Sequence, residues 1–121
     1  MTVNTQLLIS NVVHGTPSGN YDGSSQDWVS DAAKAAAYYR GRGGVQTMFY
    51  NLLGFVGEIH IEATLDFDPD TANWVEVDVY GDSSTEITSY HSSTVTGNFT
   101  WLRARVQGFD SGTINTVSVT Y

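Results

Sequence analysis

A chain of 121 residues that is 40% apolar and 12% aromatic has the length of one domain and too much apolar content to stay disordered. Thirteen acids against five bases give a formal charge of −8, which argues against nucleic acid and anionic membrane as partners, and the lack of Cys excludes a disulfide framework and thiolate chemistry. No apolar run reaches the roughly 20 residues that span a bilayer, and the opening MTVNTQLLIS lacks the basic start and apolar middle of a secretion signal.

Along the chain the dominant signal is alternation at every second residue, the period of a strand with one buried face. A first strand is predicted over 6–13, followed by the turn-forming run Gly15-Thr16-Pro17-Ser18-Gly19-Asn20. Residues 31–39 (DAAKAAAYY) have the highest helix propensity in the chain, with Ser30 or Asp31 placed to cap the first turn. So short a helix is marginal because nucleation is costly, and the stretch predicts either a short helix over 31–39 or an extended crossing of a sandwich edge. Arg40-Gly41-Arg42-Gly43-Gly44 reads as a turn into a strand over 45–52, which is apolar on both faces as a central strand would be.

The alternation is strict over 58–65, with Ile59, Ile61, Ala63 and Leu65 opposite Glu58, His60, Glu62 and Thr64. After a turn at Asp68-Pro69-Asp70, Val75, Val77 and Val79 alternate with Glu76, Asp78 and Tyr80. Gly81-Asp82-Ser83-Ser84 reads as another turn, then a weaker strand over 87–90, a turn at Thr96-Gly97-Asn98, and a second central strand over 99–106. Asp110-Ser111-Gly112 is expected to reverse the chain into a last strand over 117–121. Short strands at this spacing predict an all-β fold, a single antiparallel β-sandwich over 1–121, jelly-roll-like, with about seven to eight strands.

Few residues suggest chemistry. Asp66, Asp68 and Asp70 stand at alternate positions like the opening of a calcium loop, but Thr71 and Val77 occupy the places where such a loop needs Gly and a bidentate Glu, so a tight turn around Pro69 is the simpler reading. His14, His60 and His91 show no metal-ligand spacing, no GxSxG elbow occurs, and no cofactor motif is present, so neither an enzyme nor a cofactor is expected. A small hydrolase would need a cleft with perturbed carboxylates. Trp101, Arg103 and Arg105 share a strand face with Phe99. They form either a recognition strip or a row in which each Arg covers a ring and pairs with a carboxylate of the next strand. Trp28, Trp74 and Trp101 are expected in the core.

From Val45 onward the order of motifs resembles small β-sandwich virion proteins of tailed phages that infect marine bacteria, cyanophages among them. The residues that carry this are Phe55-Val56-Gly57-Glu58-Ile59, then Glu62-Ala63-Thr64-Leu65 with Asp68-Pro69 and Trp74, then Gly97-Asn98-Phe99-Thr100-Trp101-Leu102-Arg103-Ala104, and Gly112-Thr113-Ile114-Asn115. The amino-terminal part shares only Tyr38-Tyr39 before a Gly-rich turn. The resemblance implies a structural protein of the virion, assembled in the host cytoplasm, with no catalytic residue to carry over. The chain length leaves no room for a fibre stalk, so a capsid decoration protein or a neck or tail accessory protein is expected. Its partners would be other virion proteins and its own copies in a homo-oligomer, through Tyr38, Tyr39, Arg40, Arg42, Trp101, Arg103 and Arg105 and the loops 15–22 and 40–44. The alternative is a carbohydrate-binding module that grips host glycans through Trp101, Arg103, Tyr80 or Tyr90.

Overall fold

The computed structural model describes residues 5–38 and 44–121. Among them the chain forms no helix, hence none long and apolar enough to cross a membrane, and six strands. These are β1 (Thr5–Val13), β2 (Trp28–Val29), β3 (Ala33–Lys34), β4 (Val45–Thr64), β5 (Val75–Thr96) and β6 (Trp101–Thr120). Every pairing is antiparallel, in the order β1-β6-β4-β5, with β2 and β3 added alongside the early part of β6.

Three strands are unusually long: 20, 22 and 20 residues for β4, β5 and β6. Each breaks register near its middle, β4 between Leu52 and Gly57 against β5 and between Leu53 and Glu58 against β6. Each therefore serves two layers. The first layer holds 87–96, 45–53, 113–120 and β1, and the second holds 75–82, 57–64, 101–107 and the short β2 and β3. The layers face one another: the rings of Tyr50 and Tyr80, one from each, lie 5.2 Å apart, and the Tyr121 hydroxyl donates to the Lys34 carbonyl at 2.8 Å. The fold is an antiparallel β-sandwich made by bending one sheet over itself.

That bend explains why the expected strand count and two expected turns differ from the structure. Gly81-Asp82-Ser83-Ser84 lies inside β5 and Asp110-Ser111-Gly112 inside β6, so neither reverses the chain. Gly112 has φ +91, and a Cβ there would overlap the backbone of Gly54; Gly81, with φ +111, meets the Gly57 carbonyl in the same way. Only glycine allows the strands to cross this closely at such dihedrals.

The core lies between the layers. Met48, Tyr50 and Leu52 of the first layer oppose Ile59, Ile61 and Ala63 of the second, joined by Leu102, Ala104, Val106, Ile114, Val117 and Val119, all buried. The strand over 58–65 ends one residue early: Thr64 is buried and Leu65 exposed. The valines after Trp74 also depart from expectation. A bulge opposite Ile61 and Glu62 shifts the phase, so Val77 packs on the core while Val75 and Val79 are exposed, and Asp78 and Tyr80 turn inward.

The helix considered over 31–39 does not form within the described residues; the extended alternative does. β3 pairs with Leu102 and Trp101, the Ala35 and Ala37 amides donate to the carbonyls of Thr100 and Phe99 at 3.0 and 3.1 Å, and Ala35, Ala36 and Ala37 are buried. The alanines serve close packing, and their hydrogen bonds to the 99–102 stretch replace those of a helix. Tyr39 lies outside the described residues. Buried Gln46 locks this end of the sandwich, accepting from the Ala36 amide at 3.3 Å and donating to the carbonyls of Val95 and Gly97 at 2.8 and 3.2 Å. The segment 97–100 then carries the chain from the first layer to the second.

Candidate functional site

The two outer faces have opposite character. On the second layer, Glu62 of β4 sits between two arginines of β6, accepting from Arg103 Nε at 2.7 Å and Arg105 Nε at 3.2 Å. Arg105 also reaches Gln107 at 3.0 Å and Glu76 at 3.6 Å. The Arg103 guanidinium lies 4.3 Å over the Trp74 ring. His60 is held between Glu58, at 3.1 Å, and Glu76. Trp101 donates its indole N–H to the Phe67 carbonyl at 3.0 Å and packs edge-on against Tyr38 at 5.2 Å.

The expected row of Trp101, Arg103 and Arg105 is thus real, but its members are engaged with their own neighbours. Phe99 is not in it; it precedes β6 and packs on the core. Trp28 is a core residue, whereas Trp74 and Trp101 are half-buried on this outer face, a correction to the core expected for all three. Being half-exposed, these ion pairs add little stability each; their effect is to hold a fixed charge pattern. Arg40 and Arg42, like Tyr39, lie outside the described residues. The 15–22 loop is pinned, with buried Tyr21 paired to Ser18 and its hydroxyl accepting from the Gly15 amide at 3.0 Å.

The three aspartates form a turn. Asp66 accepts from the Asn73 amide at 2.7 Å and Asp68 from the Asp70 amide at 2.9 Å. Among the described residues no three acid, His or Cys side chains gather as metal ligands would. The histidines stand apart: His14 packs edge-on to Phe109, and His91 stacks on Tyr80 at 4.0 Å. Tyr80 is therefore interior and no platform for a ligand, and Tyr90 lies on the opposite layer from Trp101 and Arg103. The glycan strip read from the sequence is split between an interior and two exteriors.

The first layer shows what the sequence reading overlooked. All thirteen acidic and five basic residues lie outside 5–13, 45–53, 87–96 and 111–121, so this layer carries no Asp, Glu, Lys or Arg. Its outer face is built of Thr, Ser and Asn, among which Leu7, Val45, Leu53, Phe49 and Tyr90 are exposed, Tyr90 at 73%. The Phe49 and Tyr90 rings stack at 5.9 Å and 23°. Beside them a cleft of about 290 Å³ is lined by Asn51, Leu53, Thr88, Ser89, Tyr90 and Asn115. The signal was present as charge-free runs in the sequence, legible only once those runs are known to share a layer.

No protein-family model matches the chain, and no curated protein matches it. Among solved structures it is similar to a mutant of CBM29-2, a family 29 carbohydrate-binding module, at 13% identity and a TM-score of 0.40, over 99% of this chain and 87% of that one. A likeness of that size bears on neither ligand nor mechanism.

Proposed function

We propose that this protein is a non-catalytic structural component of a phage particle, carried in many copies on its surface as a capsid decoration protein or a neck or tail accessory protein. The observation that carries this is the state of the two edges of the first layer. β1 and the 87–96 part of β5 have no strand partner on their outer side among the described residues, and neither contains a charge or a Pro. An edge left open without charge or Pro, as 87–96 is throughout and β1 is apart from one bulge between Leu7 and Ile9, is a template for pairing with another chain, which a protein working alone normally blocks. Neighbouring copies or a capsid subunit can add a strand there, as in β-augmentation. Repetition of one contact by symmetry suits a multi-copy shell protein. The acidic second layer then faces outward and keeps particles apart by repulsion. The motif resemblance over 45–121 supports the same reading and supplies the particle.

The test is the composition of particles purified from the phage that encodes the chain. Quantitative mass spectrometry is expected to find the protein in many copies per particle, and a deletion mutant is expected to yield particles of reduced stability. Its absence from particles, or deletion particles of unchanged stability, would overturn the proposal.

A further inference from the structure

We propose that the outer face of the first layer holds a subsite for a neutral sugar, centred on Tyr90 and Phe49 and completed by Asn51 and Asn115. Edge pairing uses the rim of this layer and leaves its face open, so the subsite goes beyond the particle role and does not depend on it.

Three observations converge. Tyr90 is 73% exposed and stacks by one face on Phe49, which leaves its other ring face as an apolar surface of the kind on which a pyranose lays its C–H face. Next to them, the Asn115 amide donates to the Asn51 side-chain oxygen at 3.3 Å, which leaves the Asn51 amide N–H groups and the Asn115 side-chain oxygen for a ligand. A donor and an acceptor side by side match vicinal hydroxyls, each of which both gives and takes a hydrogen bond. The cleft of about 290 Å³ is at the small end of ligand pockets, which start near roughly 300 Å³, and suits a single ring.

The charge pattern selects the class. With no Lys, Arg or His on this face, the carboxylate of a sialic or uronic acid would lose its water without gaining a partner. The same sparse spacing of apolar groups among Thr and Ser favours a hydroxylated ligand over a protein, whose interface cores are more apolar. The site is also firm: its residues stand on paired strands, and Thr88 is fixed by accepting from the Gly54 amide at 2.7 Å.

Titration of the full chain with gluco-, manno-, galacto- and xylo-configured neutral hexasaccharides, followed by amide NMR, tests this, with sialyllactose and oligogalacturonate as charged probes. At least one neutral probe is expected to shift residues 49–53, 88–92 and 113–116, and the charged probes are not. Tyr90→Ala, at an exposed position, should weaken that binding at least tenfold with unchanged melting temperature, and half-buried Asn115→Ala should weaken it likewise, whereas exposed Val79→Thr on the other layer should leave it as it is. The proposal is overturned if no neutral probe binds, if shifts cluster around Trp101 and Arg103, if Tyr90→Ala binds undiminished, or if the face is already covered by a second copy at the concentrations used. A failure of sugar binding leaves the particle reading standing, because that reading is decided by particle composition.

Discussion

Tyr50 joins the two layers by a single polar contact inside the core. Its hydroxyl donates to the Asp78 carboxylate, which Ser93 also approaches at 3.2 Å. Burial, and then the hydrogen bond and charge of Asp78, push the phenol pKa far above its ordinary 10.0. The fold thus holds the neutral phenol, so this contribution to stability is complete below pH about 10 and is lost as pH rises above it. An ultraviolet titration should show one tyrosine that ionises only with unfolding, and Tyr50→Phe should remove that component at a cost of about 1–3 kcal/mol by leaving Asp78 short of a donor. Asp22 works in the opposite sense. The Ser25 and Ser24 amides, then the Ser25 hydroxyl, lower its carboxyl to about 2 from 3.8. Its contribution is present above pH 3.8 and lost as pH falls through about 2, and Asp22→Asn should flatten the acid limb of the stability curve between those values. Neither residue was picked out by sequence reasoning, because alternation says which side of a strand a residue occupies and nothing about what lies across the sandwich. The same limit separated Tyr80 from Tyr90: one faces the core and the other solvent because the strand bends between them.

Elements were legible where a strand runs straight. The alternation over 58–63 reads correctly because β4 runs there in unbroken register with β6. It misreads 75–80, where the bulge opposite Ile61 and Glu62 depends on the partner strand and leaves no mark on β5 itself. Glycine-rich runs at 81–84 and 110–112 resemble reversals because a turn and a sharp bend need the same dihedrals; only long-range pairing tells them apart. The alanines of 33–37 misled for a similar reason, since helix propensity is local and their burial is tertiary. Two substitutions probe the bend and the locked end. Gly112→Ala should cost about 2–4 kcal/mol, combining an unfavourable positive φ with overlap on the Gly54 backbone, whereas Gly15→Ala, with open space around it, should cost less. Gln46→Leu should cost about 2–4 kcal/mol by stranding the Ala36 amide and the carbonyls it bridges. Chemical denaturation checks both.

At the scale of the molecule, the distribution of charge matters more than its sum. A net −8 predicts solubility and repulsion of polyanions, and it hides a layer with no charged side chain at all. On the proposed reading that layer offers neighbours two edges, unpaired among the described residues, and offers a neutral ligand its face, while the other layer carries acids, arginines and one histidine. The central claim is that adhesion belongs to the charge-free layer. Hydrogen exchange followed by mass spectrometry, on the free protein and on purified particles that carry it, tests this most directly. The outward-pointing amides of 5–13 and 87–96 should exchange readily in the free protein and become protected in the particle, with little change over 58–64 and 101–107. Protection that appears instead over 58–64 and 101–107, or exchange that is the same in both samples, would contradict it.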